Sequence, residues 1–265
     1  MIYIATHKKY VMPPFDGYQP ILVGAARHSE LPSGYLSDAT GRNISLKNSN
    51  FNELTAIYWI RYNTKDEVVG LMHYRRYLGL KKSHRLEDIL QNQQINHLLS
   101  QYDIILPKKR NYIIENQKDH YLHAHSTEPY VIMKQVIAMK YVEYLPAFEQ
   151  MEKSTSAHLF NMFIMPKRLF NDYADFLFGV LEEVEKNIDT EKFEGQEARV
   201  YGFLAERLMD TWVNTKRVSV VECPVIGLER TNWLDKGYNF LKRKFFPKSK
   251  KRCISNDKKI QYKKL

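Results

Sequence analysis

The sequence predicts an α/β fold with a largely parallel central sheet. Three observations carry that prediction. Short, wholly apolar, β-prone runs alternate with longer stretches whose apolar residues recur every three to four positions, the pattern of helices packed on a parallel sheet. Several of the apolar runs stop abruptly at polar or basic residues, as strands do at the edge where such sheets bind ligands. The 265 residues, 44% hydrophobic, 13% aromatic and 26% charged, also have the composition of a globular chain large enough to bury a core without disulfides.

The elements follow in order. Residues 1–5 (MIYIA) form the first strand, ended by Thr6, His7 and Lys8, a polar cluster in the position of a ligand site. Residues 10–47 are irregular, punctuated by Pro13, Pro14, Pro20, Pro32, Gly34 and Gly41, and only residues 21–23 are strand-like. A connection of that length points to function. Asn50 with Glu53 three positions later is close to a capping box, so a helix is expected to start there, and Glu53 is read as its cap rather than as a catalytic acid.

Residues 68–74 (VVGLMHY) read as a buried strand that carries His73 and runs into Arg75 and Arg76. Arginine's planar fork donates paired hydrogen bonds to phosphate, so this strand end is a second site candidate. Residues 86–99 have the spacing of an amphipathic helix, and residues 103–106 form a short strand that stops at Pro107, Lys108, Lys109 and Arg110. His120, His123 and His125 lie close together but lack the i, i+4 spacing of a helical zinc site. A flexible, substrate-facing loop is the expectation there.

A helix over residues 130–144 ends at Pro146. Residues 158–165 (HLFNMFIM) read as an apolar strand with Asn161 inside it. That amide needs a partner, because an unpaired buried polar group costs ~1–3 kcal/mol. Residues 169–188 and 199–213 read as helices, the second with Glu206 and Arg207 in its middle, and residues 217–221 as the last strand.

Charge divides the chain. There are 40 Lys and Arg against 30 Asp and Glu, a net of +10. Residues 234–265 hold 12 of the basic residues and only two acidic ones, Asp235 and Asp257, so residues 1–233 are neutral. A neutral body without interleaved aromatic and basic residues argues against nucleic acid as a partner. The tail has Leu234, Tyr238, Leu241 and Phe245 at helical spacing with Lys236, Lys242, Arg243 and Lys244 between them, the pattern of an interfacial helix on an anionic membrane surface. The expected organisation is therefore a domain over residues 1–228 and a membrane-associating tail over 229–265. Two cysteines, Cys223 and Cys253, make no disulfide framework, and with no signal peptide the expected compartment is a reducing cytoplasm. No stretch approaches the ~20 apolar residues of a membrane span.

The phosphate-loop, dinucleotide and nucleophile-elbow motifs are all missing. So is a D-x-D pair, which in many nucleotide-sugar transferases holds a divalent ion on the diphosphate. Fixed cations at the strand ends can neutralise a leaving diphosphate instead, so metal-independent chemistry with no cofactor is the first expectation and a bound divalent cation the alternative.

Three segments resemble a bacterial family of capsular and exopolysaccharide biosynthesis glycosyltransferases, long catalogued as a domain of unknown function. They are NISLKN at 43–48 running into ELTAIYW at 53–59, then GLMHYRRY at 70–77, then NMFIM at 161–165. DIILP at 103–107 and RVYGFLAERL at 199–208 add support, and the likeness runs in order over residues 1 to about 228. The resemblance implies a GT-A-like, Rossmann-type domain that moves a sugar from a nucleotide-sugar donor to a lipid-linked glycan; the basic tail and the expected cytoplasmic compartment put that work on the inner face of the cell membrane. UDP-sugars, UDP-galactofuranose among them, are candidate donors. By position it implies that Thr6, His7, Lys8 and Asn48 lie near the nucleotide and that His73, Arg75 and Arg76 face the diphosphate. Asn161 would touch sugar or acceptor, and Arg207 would close the site. Glu206, His158 and His73 are the candidates for the base that takes the acceptor's proton, Glu206 first because Arg207 beside it could orient it. The alternative reading is a non-catalytic, membrane-peripheral scaffold of a polysaccharide assembly complex.

Overall fold

A computed structural model describes residues 1–228. The expected membrane-associating residues, Leu234, Tyr238, Leu241, Lys242, Arg243, Lys244 and Phe245, lie outside the described residues.

The sheet grows outward from β1 (Ile2–Thr6), buried along its whole length. It pairs in parallel with β2 (Tyr18–Leu22) on one side and β4 (Val68–His73) on the other, and β3 (Leu36–Ser37) extends the β2 edge, also in parallel. Beyond β4 the order continues through β9 (Phe163–Pro166), β6 (Ile104–Pro107) and β10 (Val220–Cys223). β10 is parallel to β6, whereas β9 is antiparallel to both β4 and β6. The sheet is thus mostly parallel, with one strand reversed near its middle. A short antiparallel pair, β5 (Arg76–Leu78) with β11 (Val225–Gly227), joins it through β4.

Successive strand side chains point to opposite faces, and the chain uses both faces for burial. Tyr3, Ala5, Leu71, Leu106 and Phe163 pack on one side with α2 (Leu54–Asn63), α5 (Thr127–Lys140), α6 (Leu145–Lys153), α7 (Lys167–Asn187) and α9 (Leu208–Lys216). Ile2, Ile4, Met72, Ile105 and Ile164 pack on the other with Leu90 and with Ile95 of α3 (Asn92–Leu99). Gly70 lets the middle of the sheet close: a Cβ there would sit 2.8 Å from Ile2 Cδ1 and 3.0 Å from the Phe163 carbonyl.

The irregular stretch after β1 is organised by Asp38, which is fully buried. Its carboxylate accepts the backbone N–H groups of Gly24 (2.8 Å) and Ala25 (2.9 Å) and the hydroxyls of Ser45 and Thr55 (2.6 Å). Four donors satisfy a charge that would be costly to bury alone. They tie the loop to α2 and so fix the residues that precede that helix.

Six sequence-based expectations change. The helix expected from Asn50 is two pieces, α1 (Asn48–Phe51) and α2, broken where Asn52 takes φ 51°. Glu53 makes no capping bond. In place of one helix over 86–99 there is a single turn, Leu86–Asp88, then α3. The apolar run 158–165 becomes strand only at Phe163, because Phe160 (φ 77°) and Asn161 (φ 52°) form a left-handed turn that no strand accommodates. The helix 199–213 is split into α8 (Val200–Ala205) and α9, so Glu206 and Arg207 lie in the break and not mid-helix. The three histidines are not on a flexible loop: His120 and His123 belong to α4 (Gln117–Ala124) and share the carboxylate of Glu115, each Nδ1 at 3.1 Å.

Candidate functional site

A cleft of about 480 Å³ opens at the carboxyl ends of β1 and β4. Such strand ends are where α/β sheets bind ligands, since side chains leaving adjacent parallel strands converge there. Thr6 and His7 enter from the end of β1, His73 from β4, Tyr74 and Arg75 from the tight turn after it, and Arg76 from the start of β5. Asn48, Asn52 and Glu53 come from the broken start of α1 and α2. Phe160 comes from the turn before β9, and Arg199 and Glu206 flank α8.

Thr6 anchors the strand exit: its hydroxyl donates to the Lys8 carbonyl at 2.6 Å. His7 packs edge-on against Tyr74, with ring centroids 5.2 Å apart. Its pKa lies below the ordinary value through desolvation first and then the positive charges of Lys8 and Arg75, which favours the neutral imidazole. Arg76 lies over the Phe160 ring at 4.9 Å. Burial and neighbouring Arg75 both lower its pKa, against the carboxylates of Glu206 and Glu53, which raise it. A guanidinium stays charged regardless, so two adjacent cations converge in a half-enclosed space.

The wall opposite β4 is built on the Phe160–Asn161 turn. His73 Nε2 lies 2.6 Å from the Phe160 carbonyl oxygen. A carbonyl only accepts, so that nitrogen carries a proton, and in the neutral ring Nδ1 keeps its lone pair. The Phe160 N–H donates to Glu206 Oε1 at 3.0 Å, and Arg207 Nη1 donates to Glu206 Oε2 at 3.1 Å. Asn161 Nδ2 donates to Glu53 Oε1 at 2.6 Å and to the Gly202 carbonyl at 3.2 Å. Two non-glycine residues at positive φ are strained backbone, and here the strain holds His73, Arg76, Glu206 and Glu53 around one space.

Of the residues singled out from the sequence, Thr6, His7, Asn48, His73, Arg75, Arg76 and Glu206 line the cleft together. The remaining four are placed around it. Lys8 points its Nζ over the Tyr74 ring at 5.8 Å. Asn161 is buried behind Glu53, its Oδ1 without a hydrogen-bond partner. Arg207 is buried behind Glu206. His158 is buried with Nδ1 on the Asp210 carboxylate and Nε2 3.3 Å from Glu222 Oε1. Sequence reasoning passed over Asn52, Phe160 and Arg199, and set Glu53 aside as a cap. Glu53 opens the ELTAIYW segment and Arg199 opens RVYGFLAERL, so motif membership was the signal that could have found both. Arg199 Nε donates to Asn52 Oδ1 at 3.1 Å across the same wall. Among the described residues no group of three or more His, Cys, Asp or Glu side chains is placed to hold a metal ion.

The model of a family described as a domain of unknown function (DUF4422) matches residues 1–217. A solved structure of the bifunctional glycosyltransferase WbbM, in its apo form, has a similar fold, with 29% sequence identity and a TM-score of 0.78. The match covers 86% of this chain and 45% of that one, so the chain spans less than half the length of that neighbour. No curated protein matches.

Proposed function

The chain belongs to the family described as a domain of unknown function (DUF4422), and from its cleft we propose that it is a glycosyltransferase of GT-A type, moving a sugar from a UDP-sugar to a glycan acceptor. The observation that carries the reading is the convergence of Arg75 and Arg76 with the carboxylates of Glu53 and Glu206 in one cleft at the carboxyl ends of β1 and β4. Sugar transfer needs both signs. Cations must neutralise the departing diphosphate, and an anionic or basic group must take the acceptor's proton. The likeness to the WbbM structure supports the reading.

In this assignment Thr6, His7, Lys8 and Asn48 hold the nucleotide end of the donor, and Arg75 and Arg76 grip the diphosphate without a metal ion. Glu206 is the base. Donation from Phe160 and Arg207 orients its carboxylate, and each oxygen retains a lone pair for the acceptor hydroxyl. Asn161 and Arg207 position the two carboxylates from behind, and His158 with Asp210 supports the same wall. The acceptor is a lipid-linked glycan of capsule or exopolysaccharide assembly. Residues 229–265 form the tail that brings the domain to the inner face of the membrane.

Thermal unfolding with nucleotides tests the reading. UDP and UDP-sugars should raise the melting temperature by mass action on the native state, and CMP should not. A chain that no nucleotide stabilises is not a nucleotide-sugar transferase.

A further inference from the structure

The sheet edge that carries the cleft carries a second feature. β6 and β4 both run antiparallel to β9, so β6 delivers its carboxyl end to the edge where His73 leaves β4. There the chain reads KKRNYII over residues 108–114, with three positive charges and no negative one. Lys108, Lys109 and Arg110 are exposed. Ile113 is 81% exposed and Ile114 50%.

The base of this loop is fixed. Arg110 and Asn111 form a short strand, β7 (Arg110–Asn111), paired with β8 (Ser156–Ala157). Tyr112 is buried, donates its N–H to the Thr155 carbonyl at 2.8 Å and stacks on His120 at 3.7 Å. The tip is held too. Ile113 has φ 63°, a conformation that branched side chains rarely adopt. Its N–H donates to Asn111 Oδ1 at 2.7 Å, and the Ile114 N–H donates to the Tyr112 carbonyl at 2.6 Å. This turn buries Tyr112 and leaves both isoleucines projecting into solvent. Glu115, the next residue, is buried and engaged by His120 and His123, so it does not offset the three cations on the surface.

Two projecting aliphatic side chains beside three cations match a lipid surface. The aliphatics enter the boundary between headgroups and acyl chains, and the cations sit among anionic headgroups. A protein partner is a poorer match, since a stable interface takes roughly 800 Å² from each side and a central packed anchor, and this loop presents only a few exposed side chains. We propose that residues 108–114 are a membrane-docking loop that seats the cleft edge of the domain on an anionic bilayer. The inference does not depend on the donor assignment, nor on the tail.

The test uses the full chain with Cys253→Ser, since Cys223 is buried. Ile113→Cys is labelled with an environment-sensitive fluorophore and mixed with vesicles of phosphatidylcholine alone or with added phosphatidylglycerol. Emission should shift to the blue and rise with the anionic vesicles only, while the same label at Met139→Cys, an exposed position on α5, stays unchanged. Replacing Lys108, Lys109 and Arg110 by Gln together should weaken partitioning by more than about tenfold, with the UDP-induced melting shift retained. The proposal is overturned if the chain does not bind anionic vesicles. It is equally overturned if the chain binds them while the Ile113 label stays silent, or if the Met139 label responds as strongly. Loss of the UDP effect in the unmodified chain would speak only against the donor reading.

Discussion

His73 Nε2 lies 2.6 Å from the carbonyl oxygen of Phe160, a residue 87 positions further along the chain. The other side of the same residue, its N–H, holds Glu206. One residue therefore sets both the tautomer of a histidine and the orientation of a carboxylate on facing walls of the cleft. It does so at φ 77°, where an L side chain is strained.

That strain is measurable. At an ordinary position alanine is more stable than glycine, because glycine has more backbone freedom to lose. At Phe160 the order should invert, with Phe160→Gly more stable than Phe160→Ala by about 1–2 kcal/mol. Chemical denaturation of the two variants checks this, and equal midpoints would mean that the turn is relaxed.

Arg75→Ala and Arg76→Ala should each weaken UDP binding by roughly 1.5–3 kcal/mol, the loss of a charge-assisted bond. Titration calorimetry gives the value directly. Arg76→Lys should recover little of it, since an ammonium cannot reproduce a fork packed over the Phe160 ring. Wild-type affinity in both alanine variants would remove the pair from the diphosphate.

Glu206→Gln keeps the shape of the side chain and removes its basicity. Turnover should fall by about 10²–10⁴-fold with donor affinity changed little. Glu53→Gln supplies the comparison: if it alone abolishes turnover, the base is on the α2 side of the cleft.

Acid should destabilise the domain through His120. Burial first, and the charges of Arg207 and Arg110 as well, push its pKa down to about 4, against the opposing pull of Glu115. A histidine protonated less readily when folded binds fewer protons in the native state, so lowering the pH favours the unfolded chain. Stability should fall as the pH drops from the ordinary 6.5 towards 4, and this contribution should level off below that. By pH 5 the loss is roughly 2 kcal/mol. His120→Asn should show a shallower decline over that range, read from urea midpoints at pH 7 and pH 5.

The sheet strands were legible because a wholly apolar run of four to six residues has few other uses. Ile2–Thr6, Val68–His73 and Ile104–Pro107 fall where the periodicity placed them. The cleft cations were legible too, since charge directly after a buried strand has few structural roles. What stayed hidden was backbone geometry. Asn52, Phe160 and Asn161 take positive φ because tertiary contacts hold them there, and an apolar run such as 158–165 gives no local sign of a turn inside it. The Glu53 side chain is recruited by Asn161, 108 positions away, and a capping pattern read over three residues cannot register that partner.

The reversed strand has a kinetic consequence. Because β9 runs against its neighbours, the chain enters it at the edge where β1 and β4 finish, and so the Phe160 turn reaches the cleft at all. The cleft is thus made of segments near residues 6, 50, 75, 160 and 200, brought together across long loops. Closing those loops costs entropy before any contact repays it, so such sites form slowly and late. A refolding chain should regain its helical signal well before it regains the cleft, and the UDP binding proposed for that cleft would then report the last docking event.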